Sequence, residues 1–186
     1  MITDRKSEKA AAIQELTFAV DSIDDTEIMD LAGLILKAGK IVCYGAGREG
    51  LMMRGFTMRL FHAGIAAHYV GDMTCPAIGK GDLLMVAIGP GRLRSVETYA
   101  SIAKGAGATV LCITAEPDRV EHTGFDRIIG ILAQTMASDQ GSHSALPMGS
   151  AFEIALLVMV DLVTNKVRAG RQENPDIMRG RHTNLE

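Results

Sequence analysis

At 186 residues the chain is long enough for one compact domain with a full core and short for two. Its 47% hydrophobic and 22% charged residues are those of a soluble globular protein, and a net charge of -3 without a basic stripe gives no reason to expect nucleic acid as a partner. The opening MITDRKSEKAAA lacks the apolar core of a signal peptide, and Cys43, Cys75 and Cys112 have no metal-ligand spacing, so reduced thiols in a cytoplasm are expected.

Two helices come first. Residues 4–23 carry Ala11, Ile13, Leu16, Phe18, Ala19 and Val20 on a broad apolar face. Asp24, Asp25 and Thr26 interrupt that pattern and can cap a second helix over 27–36, in which Ile28, Leu31 and Ile35 recur at helical spacing. A leading helix of this kind serves either as an oligomer contact or as packing on its own domain.

The stretch IVCYGAGREGLMMRGF at 41–56 organises the rest. Ile41 to Tyr44 are too few for a helix and read as a buried strand; Gly45 and Gly47 make the turn; Leu51, Met52, Phe56 and Leu60 continue at helical spacing. A strand entering a helix through glycines points free amides and the positive end of the helix dipole at one place, where anions bind. Gly45, Gly47 and Gly50 also have the spacing of a dinucleotide fingerprint. Its acidic partner is missing, because the next strand ends near Tyr69 and Val70 and Asp72 falls past it. A tight turn that binds nothing is the plain structural alternative.

Further strands are predicted over 66–70, 83–88, 109–114 and 128–132, with a helix over 93–106 stopped by Gly107. Residues 133–147 form a long polar loop, of a length that often carries function. A helix over 148–166 follows. Its longest apolar stretch is 154–163, where Glu153 and Asp161 bracket a segment well short of the roughly 20 residues of a membrane span, and this suits a helix buried in the domain or a subunit interface. Asn174 and Pro175 can open a short helix before the polar tail. The alternation predicts an α/β fold with a parallel sheet covered on both faces, and the first and third strands, both ending in glycine turns, are the neighbours expected to flank a ligand.

Six segments in this order resemble the sugar isomerase (SIS) domain family, and most closely its 6-phospho-3-hexuloisomerase branch. They are YGAGREG at 44–50, FTMRLFHAG at 56–64, YVGDMTCP at 69–76, KGDLLMVAIGPGRLRSV at 80–96, LPMGSAFEIALL at 146–157 and RHTNLE at 181–186. The resemblance spans nearly the whole chain and implies a single SIS domain over 1–186. Its fold would be a three-layer α/β/α sandwich with a five-stranded parallel sheet of flavodoxin-like order and extra N-terminal helices. It also implies a cytoplasmic homo-oligomer, a dimer or commonly a homotetramer, with sites near subunit boundaries. The implied reaction is isomerisation of a phosphorylated ketohexose through an enediol, with no metal or other cofactor, no nucleic acid and no membrane.

Such chemistry needs a base to remove a proton beside a carbonyl and an acid to serve the oxygen. Glu153 and His182 match the family's catalytic positions: Glu153 as base, His182 as proton donor or ring opener, from its own or a neighbouring subunit. Gly45, Gly47, Arg48, Glu49, Gly89, Gly91, Arg92 and Ser95 match the substrate-binding positions. Without the resemblance, Glu153 would read as a helix cap and His182 as a surface residue of the tail.

The chain departs from the family's pattern where phosphate should bind. Glu49 stands where a serine is usual, and Ile88, Pro90 and Leu93 stand where hydroxyls are usual. At about 4 Å, like unit charges repel by roughly 1 kcal/mol in water and about 4 kcal/mol at an effective dielectric of about 20. Three outcomes stay open. Arg48, Arg92 and Arg94 replace the hydroxyls and the substrate is a phosphosugar; Glu49 fills the anion site and the sugar is unphosphorylated; or the domain is non-catalytic and senses a sugar or assembles subunits.

Overall fold

Apolar strands bounded by glycine and lysine, alternating with helices, build a five-stranded sheet in the order β2-β1-β3-β4-β5, with every pairing parallel. The computed structural model describes residues 5–138 and 144–185. The expected helix start at Asp4, the loop residues Asp139, Gln140, Gly141, Ser142 and His143, and the last residue, Glu186, lie outside the described residues.

The strands are β1 (Ile41–Gly45), β2 (Ala67–Tyr69), β3 (Leu83–Ala87), β4 (Thr109–Thr114) and β5 (Arg127–Gly130). The helices are α1 (Arg5–Asp21), α2 (Asp25–Lys37), α3 (Gly47–His62), α4 (Arg94–Gly105), α5 (Ser150–Gly170) and α6 (Pro175–Gly180). Parallel strands need crossovers, and a sheet buried on both faces reads as continuous apolar sequence, as LLMVA in β3 does. One face, with Ile41, Cys43, Met85, Leu111 and Ile129, packs under α1, α2, α3 and α5. The other, with Val42, Leu84, Val86 and Cys112, packs under α4 and the segment holding Val120 and Phe125.

Several boundaries differ from the expectations. β2 is shorter than 66–70, although the ladder to β1 continues past it: Ile41 N donates to Ala66 O at 2.8 Å and Val70 N to Cys43 O at 3.0 Å. β5 begins at Arg127 and ends before Leu132, because Leu132 N leaves the sheet to donate to Ser22 Oγ at 2.9 Å. The caps are as anticipated: Asp24 accepts from Thr26 N at 2.7 Å and Asn174 from Ile177 N at 2.9 Å. Three 3-10 turns, Pro117–Arg119, His122–Gly124 and Pro147–Gly149, interrupt segments read as loop.

α5 starts at Ser150, two residues later than expected, because Met148 and Gly149 are left-handed (φ 58 and 86) and cannot belong to the helix. It then runs on to Gly170. With its leading turn it is long and apolar enough to cross a membrane, yet Phe152, Ala155, Leu156, Met159, Val160, Val163 and Val167 all point into the protein. A helix apolar on most sides is here packed against α1, α2 and α3 at once.

The tightest crossing joins the end of β1 to the start of α3. A Cβ at Gly50 would lie 2.5 Å from Gly45 O and 2.8 Å from Tyr69 Oη. Tyr69 fastens the same turn, donating its hydroxyl to Gly45 O at 2.7 Å and accepting from Gly45 N at 3.3 Å. We predict that Gly50→Ala costs about 1–3 kcal/mol, the usual cost of overpacking a site that cannot yield. Denaturant unfolding checks this, and an unchanged midpoint would show that strand and helix can separate freely.

Candidate active site

The parallel register sets Gly45 beside Ala87, so the turns that follow β1 and β3 leave the sheet side by side. The N-termini of α3 and α5 close on the same place. Between them lies a cavity of about 580 Å³ lined by Ala46, Arg48, Glu49, Pro90, Phe152 and Glu153, among others. Such a crevice at the carboxyl ends of the strands, where the order reverses, is where open α/β sheets bind ligands.

Glu153 stands one turn into α5 and is 8% exposed. It caps nothing: Gly149 occupies the N-cap position, and no side chain closes that end. Arg48 Nη1 donates to Ser150 Oγ at 2.7 Å and lies 2.8 Å from Glu153 Oε2, which has this charge contact but no hydrogen bond among the described residues. Burial raises the Glu153 pKa and the Arg48 charge opposes that rise. The result is a buried carboxylate with a vacant lone pair and an adjacent cation.

Glu49 is the second carboxyl of the cavity. It sits at the third residue of α3 and reaches across to β3, where its Oε1 accepts from Gly89 N at 2.9 Å. A Cβ at Gly89 would lie 2.6 Å from that oxygen and 3.1 Å from Phe152 Cδ1, so only glycine admits this contact. Burial pushes the Glu49 carboxyl up to about 7; the Gly89 bond pulls down, and the Glu153 charge pushes up further.

Of the residues singled out in the sequence, Gly45, Gly47, Arg48, Glu49, Gly89 and Glu153 converge here. The others do not. Gly91 (φ 81) is packed on Glu116 and Arg119, where it forms the turn. Arg92 is exposed and pairs with Glu97 at 3.2 Å, and Arg94 is exposed. Ser95 meets the Tyr44 hydroxyl at 3.5 Å and does not line the cavity. His182 is stacked on His62 with ring centroids 5.2 Å apart, at the C-terminal end of α3, whereas Arg48 and Glu49 occupy its N-terminal end. With about 1.5 Å of rise per residue, the two ends of this helix are roughly 20 Å apart. A single chain therefore does not bring His182 to Glu153.

Ser150, Phe152, Thr135, Met136 and Met148 also line the cavity and were not foreseen. Ser150 and Phe152 lie within the SAFE segment and could have been placed by helix spacing. Thr135 and Met136 come from the long loop, where no periodicity exists to locate them. A larger cavity, of about 810 Å³, lies between α1 and the ends of β4 and β5. Its Glu15 is already engaged by Ser144 Oγ at 2.6 Å and Ala145 N at 2.7 Å, so the smaller cavity, with two carboxyls and an arginine, is the better equipped for chemistry. Among the described residues no group of three or more His, Cys, Asp or Glu converges as a metal site would require.

No family model matches the chain. Among curated proteins it is 36% identical over 173 residues to the 3-hexulose-6-phosphate isomerase of Mycobacterium gastri, covering 92% of this chain and 86% of that protein. It is 34% identical over 178 residues to the 3-hexulose-6-phosphate isomerase of Bacillus subtilis, covering 95% and 96%. The crystal structure of a hypothetical protein from Methanococcus jannaschii, from which a function as 3-hexulose-6-phosphate isomerase was inferred, matches with a TM-score of 0.81 and 29% identity over 94% of this chain and 98% of that one. With identity at this level over almost the full length and the same sheet, the chain belongs to the 3-hexulose-6-phosphate isomerase family, sugar isomerases of the SIS fold.

Proposed function

We propose that the protein is an isomerase that moves the carbonyl of a ketose to the neighbouring carbon through an enediol, with Glu153 as the base. The observation that carries this reading is the Glu153 carboxyl, which lines a ligand-sized cavity beside a guanidinium and whose buried Oε2 receives no hydrogen bond among the described residues. Glu153 takes the proton from the hydroxyl-bearing carbon next to the carbonyl, and electron density moves to the carbonyl oxygen. The same carboxyl returns the proton to the old carbonyl carbon while the proton of the hydroxyl passes between the two oxygens. Arg48 favours the ionised base and lies where negative charge develops. The relatives' named substrate supplies the carbon chemistry: a 3-ketose whose carbonyl moves along the chain.

We read the protein as a single cytoplasmic domain that works as a homo-oligomer. Leu51, Met58 and Phe61 form an exposed apolar stripe on α3, and Ile13 and Phe18 are exposed on α1, surfaces that suit a second copy. In such an assembly His182 of one chain would serve the cavity of another, which its distance from Glu153 within one chain requires.

The test is turnover on 3-hexulose 6-phosphate and on its unphosphorylated counterpart, read as solvent deuterium appearing at the carbon beside the carbonyl. Glu153→Gln is expected to lower turnover about 10²–10⁴-fold while the fold is kept; wild-type turnover in this variant would remove Glu153 as base. His182→Asn is expected to lose less. Mixing it with the Glu153→Gln protein should restore activity if the two residues meet across subunits, and no recovery would return His182 to its own chain.

A third expectation concerns pH. A carboxyl whose folded pKa is about 7 keeps, between its unfolded value of about 4.5 and 7, a proton that the unfolded chain has released. Stability should therefore fall as pH rises through that window and level off above it, with Glu153 adding in the same direction. Glu49→Gln, which keeps the acceptor for Gly89 N, should be more stable than wild type at pH 8 and equal to it near pH 4. Wild-type stability that rises across the window would show that the ionised Glu49 is the favoured form.

A further inference from the structure

We infer that Glu49 binds the substrate's phosphate as a neutral acid: its Oε1 stays on Gly89 N, its Oε2–H donates to a phosphate oxygen, and each phosphosugar enters together with one proton. This rests on the reading of the cavity as a phosphosugar isomerase site.

Three helices begin at the cavity without a side-chain cap. Ala46, Leu93 and Gly149, the N-cap residues of α3, α4 and α5, all line it, and none closes its helix with a side-chain hydrogen bond. First-turn amides left without acceptors and three positive helix ends together favour an anion. The Ser150 and Thr135 hydroxyls line the same cavity; Ser150 spends its proton on Pro147 O at 2.8 Å, and Thr135 pairs with Ser138 Oγ at 3.2 Å. Glu49, in the first turn of α3, stands among these groups. As a carboxylate it would set its charge against the phosphate, whereas as a carboxylic acid it adds a donor.

The geometry favours the acid. Oε1 accepts from Gly89 N at 2.9 Å, while Oε2 makes no hydrogen bond among the described residues. Arg48, the neighbouring cation, lies on Glu153 instead, and Ile88, Pro90 and Phe152 supply apolar wall. The groups around Glu49 that can carry charge are Glu153 from α5, Arg48 from α3 and the Cys112 thiol from β4, which burial pushes up to about 12 and so keeps neutral. Burial already brings the empty cavity's Glu49 to about 7. A phosphate dianion raises it further, because the ionised form would then face Glu153 and the phosphate together. With Oε1 occupied, the proton belongs to Oε2, and an O–H on an anionic oxygen is among the stronger hydrogen bonds.

The probe is D-glucitol 6-phosphate, which carries the phosphate but no carbonyl and is not turned over, with D-glucitol as the uncharged control. Calorimetric titration in buffers of different ionisation enthalpy counts the protons taken up on binding. At pH 8 the wild-type protein should take up close to one proton per D-glucitol 6-phosphate bound, and none with D-glucitol; this count needs no variant. Affinity for the phosphate compound should fall about eightfold from pH 7.5 to 8.5, a window above the phosphate's own second ionisation at about 6. Glu49→Gln keeps the acceptor for Gly89 N and offers an N–H in place of the O–H. It should bind without proton uptake, equally well across the window, and more tightly than the wild type at pH 8.5. Wild-type binding without net proton uptake, or the same uptake in Glu49→Gln, would overturn the inference and leave the phosphosugar site standing. Failure of both proteins to bind D-glucitol 6-phosphate at pH 7.5 would overturn the underlying reading of the cavity as well.

Discussion

The parallel pairing of β1 with β3 is the constraint on which the site depends. Five consecutive residues of each strand are in register, and this register brings the Gly45 and Gly89 turns together at the carboxyl end of the sheet. A slip of one residue would exchange the two faces of β1, moving Ile41 and Cys43 away from the α5 side, and would separate Glu49 from Gly89. Tyr69 at the end of β2 and Thr114 at the end of β4 reinforce the two turns from either side. Tyr69 bonds both polar groups of Gly45, while the Thr114 hydroxyl donates to Gly89 O at 3.3 Å. The site is thus fixed by four strand ends acting together.

Burial raises both carboxyls of the cavity, and they differ in what opposes the rise. At Glu153 a cation at 2.8 Å opposes it without outweighing burial. Glu49 has a single backbone amide against its burial, and the Glu153 charge adds to the rise. Neighbouring titratable groups whose surroundings push them apart are a recurrent basis for dividing acid and base duties. In this cavity the proposed base is the one beside arginine, and the other carboxyl is held by the turn after β3.

α5 explains how a charged residue comes to be buried in the middle of an apolar segment. Its apolar positions are buried against α1, α2 and α3, and left-handed Met148 and Gly149 cut off its first turn so that the helix begins at the cavity wall. Glu153 therefore sits where the core gives way to the cavity, and the packing of Phe152, Ala155 and Leu156 holds its backbone rigidly. The C-terminal segment is tied elsewhere, by Arg181 to Glu173 and to the His62 carbonyl. That anchoring is why His182 lies at the far end of α3, away from Glu153.

The strands, their order of appearance, the caps at Asp24 and Asn174 and the two glycine turns were legible in the residues, because apolar runs, cap residues and glycines act locally. The family's segments added the sheet order and the candidacy of Glu153, which spacing alone would have left as a cap. What no local rule contained was the bond from Glu49 to Gly89, forty residues apart, or the turning of Arg48 toward Glu153 while Arg92 went to Glu97. Each of those choices depends on which strand ends adjoin and on how much water the packed helices exclude. The sequence alone determined that two glycine turns, two glutamates and three arginines would be available. Only the tertiary structure decided which of them face one another, since burial and distance set the charge and partners of a carboxyl, and neither exists before the chain is folded.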